Sequence, residues 1–576
     1  MLICGLKLTH DAGVAVVKDG ELVFSIEVEK LANRRRYSPM HDLDQVVGIL
    51  AAEGFEPGDI DRFVIDGWMG DGDGGPAGLA TCSEGRPLTL RAAPYHEPVG
   101  AREAVSRLEF GGLPLGGRSY RYSSYAHAVD HLYSAYCTSP FAERGEDALV
   151  LIWDAGMAPR LYHVRAAGQV EALGALFPLA GSAFASFSLR FEPFRRRVPP
   201  SGRAERVTTH LEVAGKAMAF AGLGTVEPGA FGAFDDIVRA AGPLPRPAAL
   251  AVAEQAEARR AELFRGLSEA DLIATYQAYL GELLLAGLRR KLDAHGGPGQ
   301  NLCVAGGCAL NIKWNSSLRR SGLFRAVWVP PFPNDSGSAL GAACAELAHL
   351  GTAALSWEVY SGPRLDRTPT PPGWRSRACD ETELARVLHE EDEPVTVVDG
   401  RAELGPRALG NRSILSAPVS PGMKDRLNEI KHRSGYRPVA PVCLESRAAE
   451  IFDPGLPDPY MLFDHVVRAG WTARVPAVLH VDGTARLQTV TAARQPVLAR
   501  VLQAYERLSG IPVLCNTSAN FNGSGFFPDL ASAMRWNGTR HIWSEGVLHT
   551  RRCGAPSRAE PSPPAPPAAT GLSPED

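Results

Sequence analysis

The sequence predicts an α/β protein of more than one domain. Three observations carry this reading: short β-rich runs that end in Asp or Gly, a long amphipathic helix between two of them, and a Pro-rich break after which a second α/β stretch begins. With 576 residues, 45% of them hydrophobic, the chain can bury more than one core, and about 150 residues per domain points to two to four compact units.

The N-terminal run MLICGLKLTHDAGVAVVKDGELVFSIEVEKLANR holds three apolar segments separated by turns at His10–Gly13 and Asp19–Gly20, and KDGE between two of them fits a β-hairpin. DALVLIWDAG (147–156) and NLCVAGGCALN (301–311) read as strands that deliver residues to a ligand at their ends. Between them, Ser268 and Asp271 open SEADLIATYQAYLGELLLAGLRRKL, an amphipathic helix with a capping box. SGPRLDRTPTPPGW (361–374) is poor in apolar residues and reads as a linker. The expected organisation is a first domain over 1–355, a linker over 356–378, a second α/β domain over 379–552 and a disordered, Pro-rich tail over 553–576. No internal repeat is apparent.

A net charge of −4 and a pI of about 6.5 argue against a nucleic-acid partner, which favours a strongly basic face. The sequence has neither a signal-peptide pattern nor the roughly 18 apolar residues in a row that span a bilayer. The expectation is a cytoplasmic protein with no membrane partner. Ten cysteines are scattered without a C-x-x-C pair, which indicates neither a disulfide framework nor a thiolate zinc site.

HAVDH places His127 and His131 at i and i+4, on one face of a helix and one turn apart. Such a pair is commonly two unrelated histidines, but Asp154 at the end of ALVLIWD and Asp335 in PPFPNDSGSALGAA add two carboxylates. Two imidazoles and two carboxylates would neutralise a divalent ion, and mixed N/O ligation suits Fe, Mn or Zn better than Ca. A zinc-protease reading fails because Ala128 stands where H-E-x-x-H needs its Glu.

AGGCALN (305–311) and NDSGSALGA (334–342) are Gly-rich strand-to-helix turns. Such turns let backbone N–H groups approach phosphate, although tight α/β turns use the same residues. Their order after a hairpin bearing THDAG resembles the actin-like ATPase fold. His10 and Asp11 form either an ordinary polar turn or a general base beside its orienting carboxylate.

GRAELGPRALGNRSILSAP (400–418) and MKDRLNEIKHRSGYRPVAP (423–441) concentrate cations in an otherwise acidic chain. Gly405-Pro406 presents Arg407 and Gly410-Asn411 presents Arg412, two guanidinium forks suited to bidentate phosphate contacts. Lys424, Lys431, Arg433 and Arg437 add charge from a helix and its exit. Asn516, Ser518 and Asn520 in CNTSANFNG add donors for a ribose, a phosphate or a planar amide. The reading is a pocket for several phosphates held close together.

These two stretches, with PAVLHVDGTARLQTV (476–490) and IPVLCNTSANFNG (511–523), resemble the signatures of the NodU/CmcH carbamoyltransferases, over nearly the whole chain to about residue 552. Ala519 and Gly13 depart from the aromatic and the Ser that many relatives carry, and residues 67–100 match no motif.

The resemblance implies an actin-like, TsaD-type N-terminal domain joined to a YrdC-like C-terminal one. It implies that carbamoyl phosphate and ATP, with Mg(II), give carbamoyl adenylate in the C-terminal domain. Transfer to a hydroxyl of a small-molecule natural product would follow in the N-terminal domain, as in antibiotic biosynthesis, with Fe(II) on His127, His131, Asp154 and Asp335. His10 would take the proton of the attacking hydroxyl, Asp11 would orient it and Lys30 would stand near the developing charge. Gly306, Gly307, Asn311 and Gly337, with Gly215 and Lys216 of GKAMAF, would touch the adenylate. A homodimer is admitted. The alternatives are a tRNA threonylcarbamoyl transferase-like enzyme and an actin-like ATP-binding regulatory protein. The acceptor itself is not readable, its recognition being expected in loops such as 67–120 and 175–210.

Overall fold

The computed structural model describes residues 1–70, 75–97, 104–196 and 202–552, with only the backbone of 203–204. The expected tail, 553–576, lies outside these residues, as do parts of the loops expected to recognise the acceptor.

The first sheet begins with β1 (Leu2–Lys7), β2 (Gly13–Lys18) and β3 (Glu21–Glu27), followed by β4 (Arg62–Asp66). A small hairpin, β5 (Ala77–Ser83) and β6 (Arg86–Ala92), precedes β7 (Leu108–Leu115) and β8 (Arg118–Tyr125). The sheet order is β3-β2-β1-β4-β8-β7. The β2–β3 hairpin turns through Asp19 and Gly20, both at positive φ, the backbone that a tight two-residue turn demands and that Asp-Gly supplies. The second sheet contains β9 (Ala148–Ile152), β10 (Arg160–Val164), β11 (Val170–Ala175), β12 (Gln300–Ala305) and β13 (Phe324–Trp328), in the order β11-β10-β9-β12-β13.

The two sheets share one plan: an antiparallel three-strand meander whose first strand pairs in parallel with a later strand, which in turn pairs in parallel with another. The duplication absent from the sequence is therefore present in the topology, because a strand order needs only apolar runs in sequence, not the same residues. The helices His127–Cys137 and Ser338–His349 lie between the sheets. Their core joins Ile3, Ala15 and Val64 of the first sheet to Val150, Ile152 and Cys303 of the second. Small residues make this close layer possible: a Cβ at Gly5 would stand 1.9 Å from the Ala339 carbonyl oxygen. The helix Glu269–Ala294 starts at the expected Ser268–Asp271 capping box.

The C-terminal sheet is formed by β14 (Trp374–Ala378), β15 (Val395–Val398), β16 (Arg412–Ser416) and β17 (Ala440–Leu444), later joined by β21 (Gln488–Val490), β22 (Val513–Ser518), β23 (His541–Ser544) and β24 (Val547–Arg551). Between them β18 (Phe452–Asp453), β19 (His465–Val467) and β20 (Thr484–Ala485) make a separate small sheet. The helices Glu381–Glu390 and Pro496–Ser509 pack their apolar residues on the large sheet. β14 corrects the expected linker: residues 374–378 pair antiparallel with β24 and belong to the C-terminal sheet. Their polar, Arg-bearing sequence reads as non-structural because this is an edge strand with little burial. Among the described residues nine cysteines are free, and no helix is long and apolar enough to cross a membrane.

Candidate active site

β1 and β4 end side by side at Lys7 and Asp66, β9 is followed within two residues by Asp154, and the helix His127–Cys137 starts at the same edge. The one-turn helix Asp335–Gly337 closes the group. His127, His131, Asp154 and Asp335 are all buried, and one ligand atom from each lies within 4.8 Å of the others. His127 turns Nδ1 to Asp66 Oδ1 at 2.8 Å, which directs Nε2 inward to 3.4 Å from Asp335 Oδ1. His131 Nε2 lies 3.5 Å from the same oxygen. His127 Nε2 and both ring nitrogens of His131 have no hydrogen-bond partner. Buried polar atoms are otherwise nearly always paired, so unpaired imidazole nitrogens converging on two carboxylates fit a divalent ion, with Asp66 holding His127 as an outer partner. The cluster could hold a metal, as its residue pattern predicts.

The electrostatics agree. Burial opposes protonation of His127, yet Asp66 and Asp335 outweigh it and raise its pKa to about 9. A field that draws a proton to that nitrogen also attracts a cation. Burial works to raise the Asp335 carboxyl, but Lys7, His127 and His10 hold it well below the usual carboxylate range. His10 stands at the open edge, Nδ1 2.9 Å from Asp11 Oδ2 and Nε2 3.5 Å from Asp335 Oδ2. His10 therefore adjoins the cluster, with Asp11 against its ring.

Several residues here escape sequence reasoning. Lys7 bridges Asp66 at 2.5 Å and Asp335 at 3.0 Å, Trp68 packs edge-on against His10 and His127, and Tyr95 donates its hydroxyl to Asp154. Asp66 carried a usable signal: RFVIDG repeats the apolar-run-then-Asp pattern of ALVLIWD.

The glycine turns have local explanations. Gly307 N–H donates to Asp154 Oδ1 at 2.7 Å, so it orients a candidate ligand. Gly306, at φ +85°, and Gly337 are places where a Cβ would run into the carbonyls of Trp153 and Phe332. Asn311 caps the next helix, accepting from Lys313 and Trp314. Lys216 pairs at the surface with Glu212. The buried Lys30 ammonium donates to Glu27 Oε1 and to the carbonyls of Glu403 and Gly405, fastening the N-terminal region to the loop before Arg407.

The cationic stretch divides. Arg407, Arg433 and Arg437 line a cleft together with Asn516 and Ser518 of β22 and with Gly215. Arg36, Lys313, His480 and Arg486, none of them anticipated, line it too. The other expected contacts are structural. Arg412 is 1% exposed and donates to the carbonyls of Asp399, Gly400 and Phe527, because it opens β16 with its side chain directed under the loop. Lys431 donates to the carbonyls of Ser518 and Asn520 and to Asn520 Oδ1, while the Asn520 amide holds Phe521 and Ser524. Lys424 donates to the Leu479 carbonyl.

Among the described residues no carboxylate lies within ion-pair distance of Arg407, Arg433, Arg437 or Arg486. Nε of Arg407, Arg437 and Arg486 is buried without a partner. Burial, then repulsion from neighbouring arginines, pushes Arg433 down to about 9 and Arg486 to about 10, and lowers Arg407 and Arg437. Grouped, desolvated cations without carboxylates are costly unless an anion joins them. His480, lowered to about 4 by burial, adds a neutral imidazole at neutral pH.

Comparison with known proteins gives the family. Residues 2–344 match the carbamoyltransferase N-terminus model and 385–542 the carbamoyltransferase C-terminus model. Nodulation protein U of Sinorhizobium fredii is 47% identical over 96% of this chain and 99% of its own. That of Azorhizobium caulinodans is 45% identical over 95% and 98%. The 3'-hydroxymethylcephem-O-carbamoyltransferase of Amycolatopsis lactamdurans is 34% identical over 94% and 97%. With both halves matched and relatives aligned almost end to end, the chain belongs to the carbamoyltransferase family and is an O-carbamoyltransferase.

Proposed function

We propose that this enzyme uses ATP and carbamoyl phosphate to make carbamoyl adenylate and then carbamoylates a hydroxyl of a small-molecule natural product. The supporting observation is the cleft of arginines around Arg407 that make no ion pair among the described residues, and their charge suits two phosphorylated substrates together. Carbamoyl phosphate, ATP and water would yield carbamoyl adenylate, pyrophosphate and phosphate: the C–O–P link of carbamoyl phosphate is hydrolysed, and the freed carbamate oxygen displaces pyrophosphate from the ATP α-phosphorus. Arg407, Arg433, Arg437 and Arg486 would bind the phosphate oxygens, and Asn516 and Ser518 would orient the amide or ribose. The acceptor oxygen then attacks the carbamoyl carbon, AMP leaves with the C–O bonding pair, and His10 takes the hydroxyl proton while Asp11 holds its ring.

His127, His131, Asp154 and Asp335 would hold a divalent ion, for which Fe(II) is our choice. Bound there, it would supply Lewis-acid polarisation of a substrate oxygen. The paired three-plus-two strand sheets with helices between them support an actin-like reading of the N-terminal region, and the large mixed sheet is our YrdC-like unit.

Incubation of purified protein with ATP, Mg(II), Fe(II) and carbamoyl phosphate should release pyrophosphate and form carbamoyl adenylate, detected by mass spectrometry. Arg407→Ala should abolish both, and His10→Ala should leave adenylate formation intact while lowering transfer by about 10²–10⁴-fold. ADP as the product, or an unaffected Arg407 variant, would overturn the scheme.

A further inference from the structure

Residues 27–38 leave β3 of the N-terminal sheet and run against the C-terminal region. Lys30 is held by the carbonyls of Glu403 and Gly405, and Gly405 N–H in turn donates to Glu27 Oε1 at 2.7 Å. Arg36 N–H donates to the Gly523 carbonyl at 3.0 Å, Gly525 N–H donates to the Arg34 carbonyl at 3.0 Å, and Arg35 bridges Ser524. Within this strap Ala32, Asn33 and Tyr37 all have positive φ, at 53°, 56° and 63°. Only the Asn tolerates that region well, and strained backbone of this kind persists where surroundings over-determine it, often at ligand clamps.

The strain has a visible result: it carries Arg36 into the cleft beside Arg407, Arg433 and Arg437. Nε of Arg36 donates to the Ser524 carbonyl at 3.3 Å, and among the described residues no carboxylate lies within ion-pair distance of it. The same strap also reaches the other site. Val28 N–H donates to the Ala12 carbonyl and Ala12 N–H to the Ser38 carbonyl, one residue beyond the His10–Asp11 turn.

We propose that Arg36 is a phosphate-binding residue of the cationic cleft, contributed across the fold by the strained 27–38 strap, and that this strap transmits occupancy of the cleft to the His10–Asp11 turn. The proposal rests on reading the cleft as a phosphate site. An anion drawing Arg36 toward Arg407 tightens a segment whose other hydrogen bonds hold Ala12, so the cleft and the turn share one piece of backbone.

The test titrates inorganic pyrophosphate into the full-length protein by calorimetry. Arg36→Ala should weaken binding by about 10- to 100-fold, as loss of a charge-assisted contact does, and Arg36→Lys, which keeps the charge without the fork, should fall between. Unchanged binding in Arg407→Ala would overturn the phosphate reading itself. Weakened binding in Arg407→Ala together with wild-type binding in both Arg36 variants would overturn the role of Arg36 alone. An Arg36→Ala protein that fails to fold leaves Arg36→Lys to decide, since wild-type affinity in that variant excludes a fork contact. Hydrogen exchange on the wild type supplies the second readout: pyrophosphate should slow the amides of Ala12 and Val28. Unaltered exchange there with the cleft saturated would overturn the transmission.

Discussion

His127 shows how a single side chain acquires its role. HAVDH gives it a neighbour one turn away, but the orientation of its ring comes from Asp66, 61 positions earlier, at 2.8 Å from Nδ1. Asp66→Asn should therefore weaken metal binding by about 10- to 100-fold while leaving the four candidate ligands in place, measured by competition with a chelator on the purified protein. An unaltered metal affinity would mean that helix packing alone sets the ring. The contrast between Arg407 and Arg412 makes the same point. Both follow a glycine-containing turn in one loop, yet one guanidinium reaches the cleft and the other is buried against four backbone carbonyls. Spacing in sequence gave no means to separate them: Arg407 stands in the loop, whereas Arg412 opens β16.

At the scale of elements, the close layer between the sheets is the most demanding feature. Gly5→Ala would place a Cβ 1.9 Å from the Ala339 carbonyl and 2.9 Å from the Ala343 nitrogen, both backbone atoms that can move only with their helix. The expected cost is at least about 1–3 kcal/mol, read as a lowered urea midpoint; an unchanged midpoint would show that the helix shifts freely. The strap has its own signature in pH. Burial, reinforced by Glu27 and Asp11 and opposed by Arg36, raises the Glu29 carboxyl from 4.5 to about 7. A carboxyl with a raised folded pKa takes up a proton on folding, so its contribution is most favourable below pH 4.5 and is lost as pH climbs through 7. Glu29→Gln should remove about 3 kcal/mol of that pH dependence, seen by comparing urea midpoints of variant and wild type at pH 5 and pH 8. Parallel profiles would refute it.

For the whole molecule, the decisive contact is the Lys30 ammonium, 2% exposed overall, joining Glu27 to the carbonyls of Glu403 and Gly405. Lys30→Ala would leave the Glu27 carboxylate buried without its cation and release the Arg407 loop. A loss of roughly 3–5 kcal/mol is expected, measured by chemical denaturation, together with weaker pyrophosphate binding; loss of stability with intact binding would confine Lys30 to the fold. The sequence by itself determined the α/β class, the hairpin at Asp19–Gly20, the capped Ser268 helix and the four members of the candidate metal cluster, because strand alternation, turn chemistry, capping and ligand type are local properties of residue identity. Only the tertiary structure decided that Arg36 and Arg486 join Arg407 in one cleft, that Lys30, Lys431 and Asn520 brace the loops around it, and that Lys7 and Asp66 stand behind the histidines. Those roles depend on which distant strand ends and loops meet and on the direction in which each side chain leaves its backbone. Residue type and spacing do not encode either.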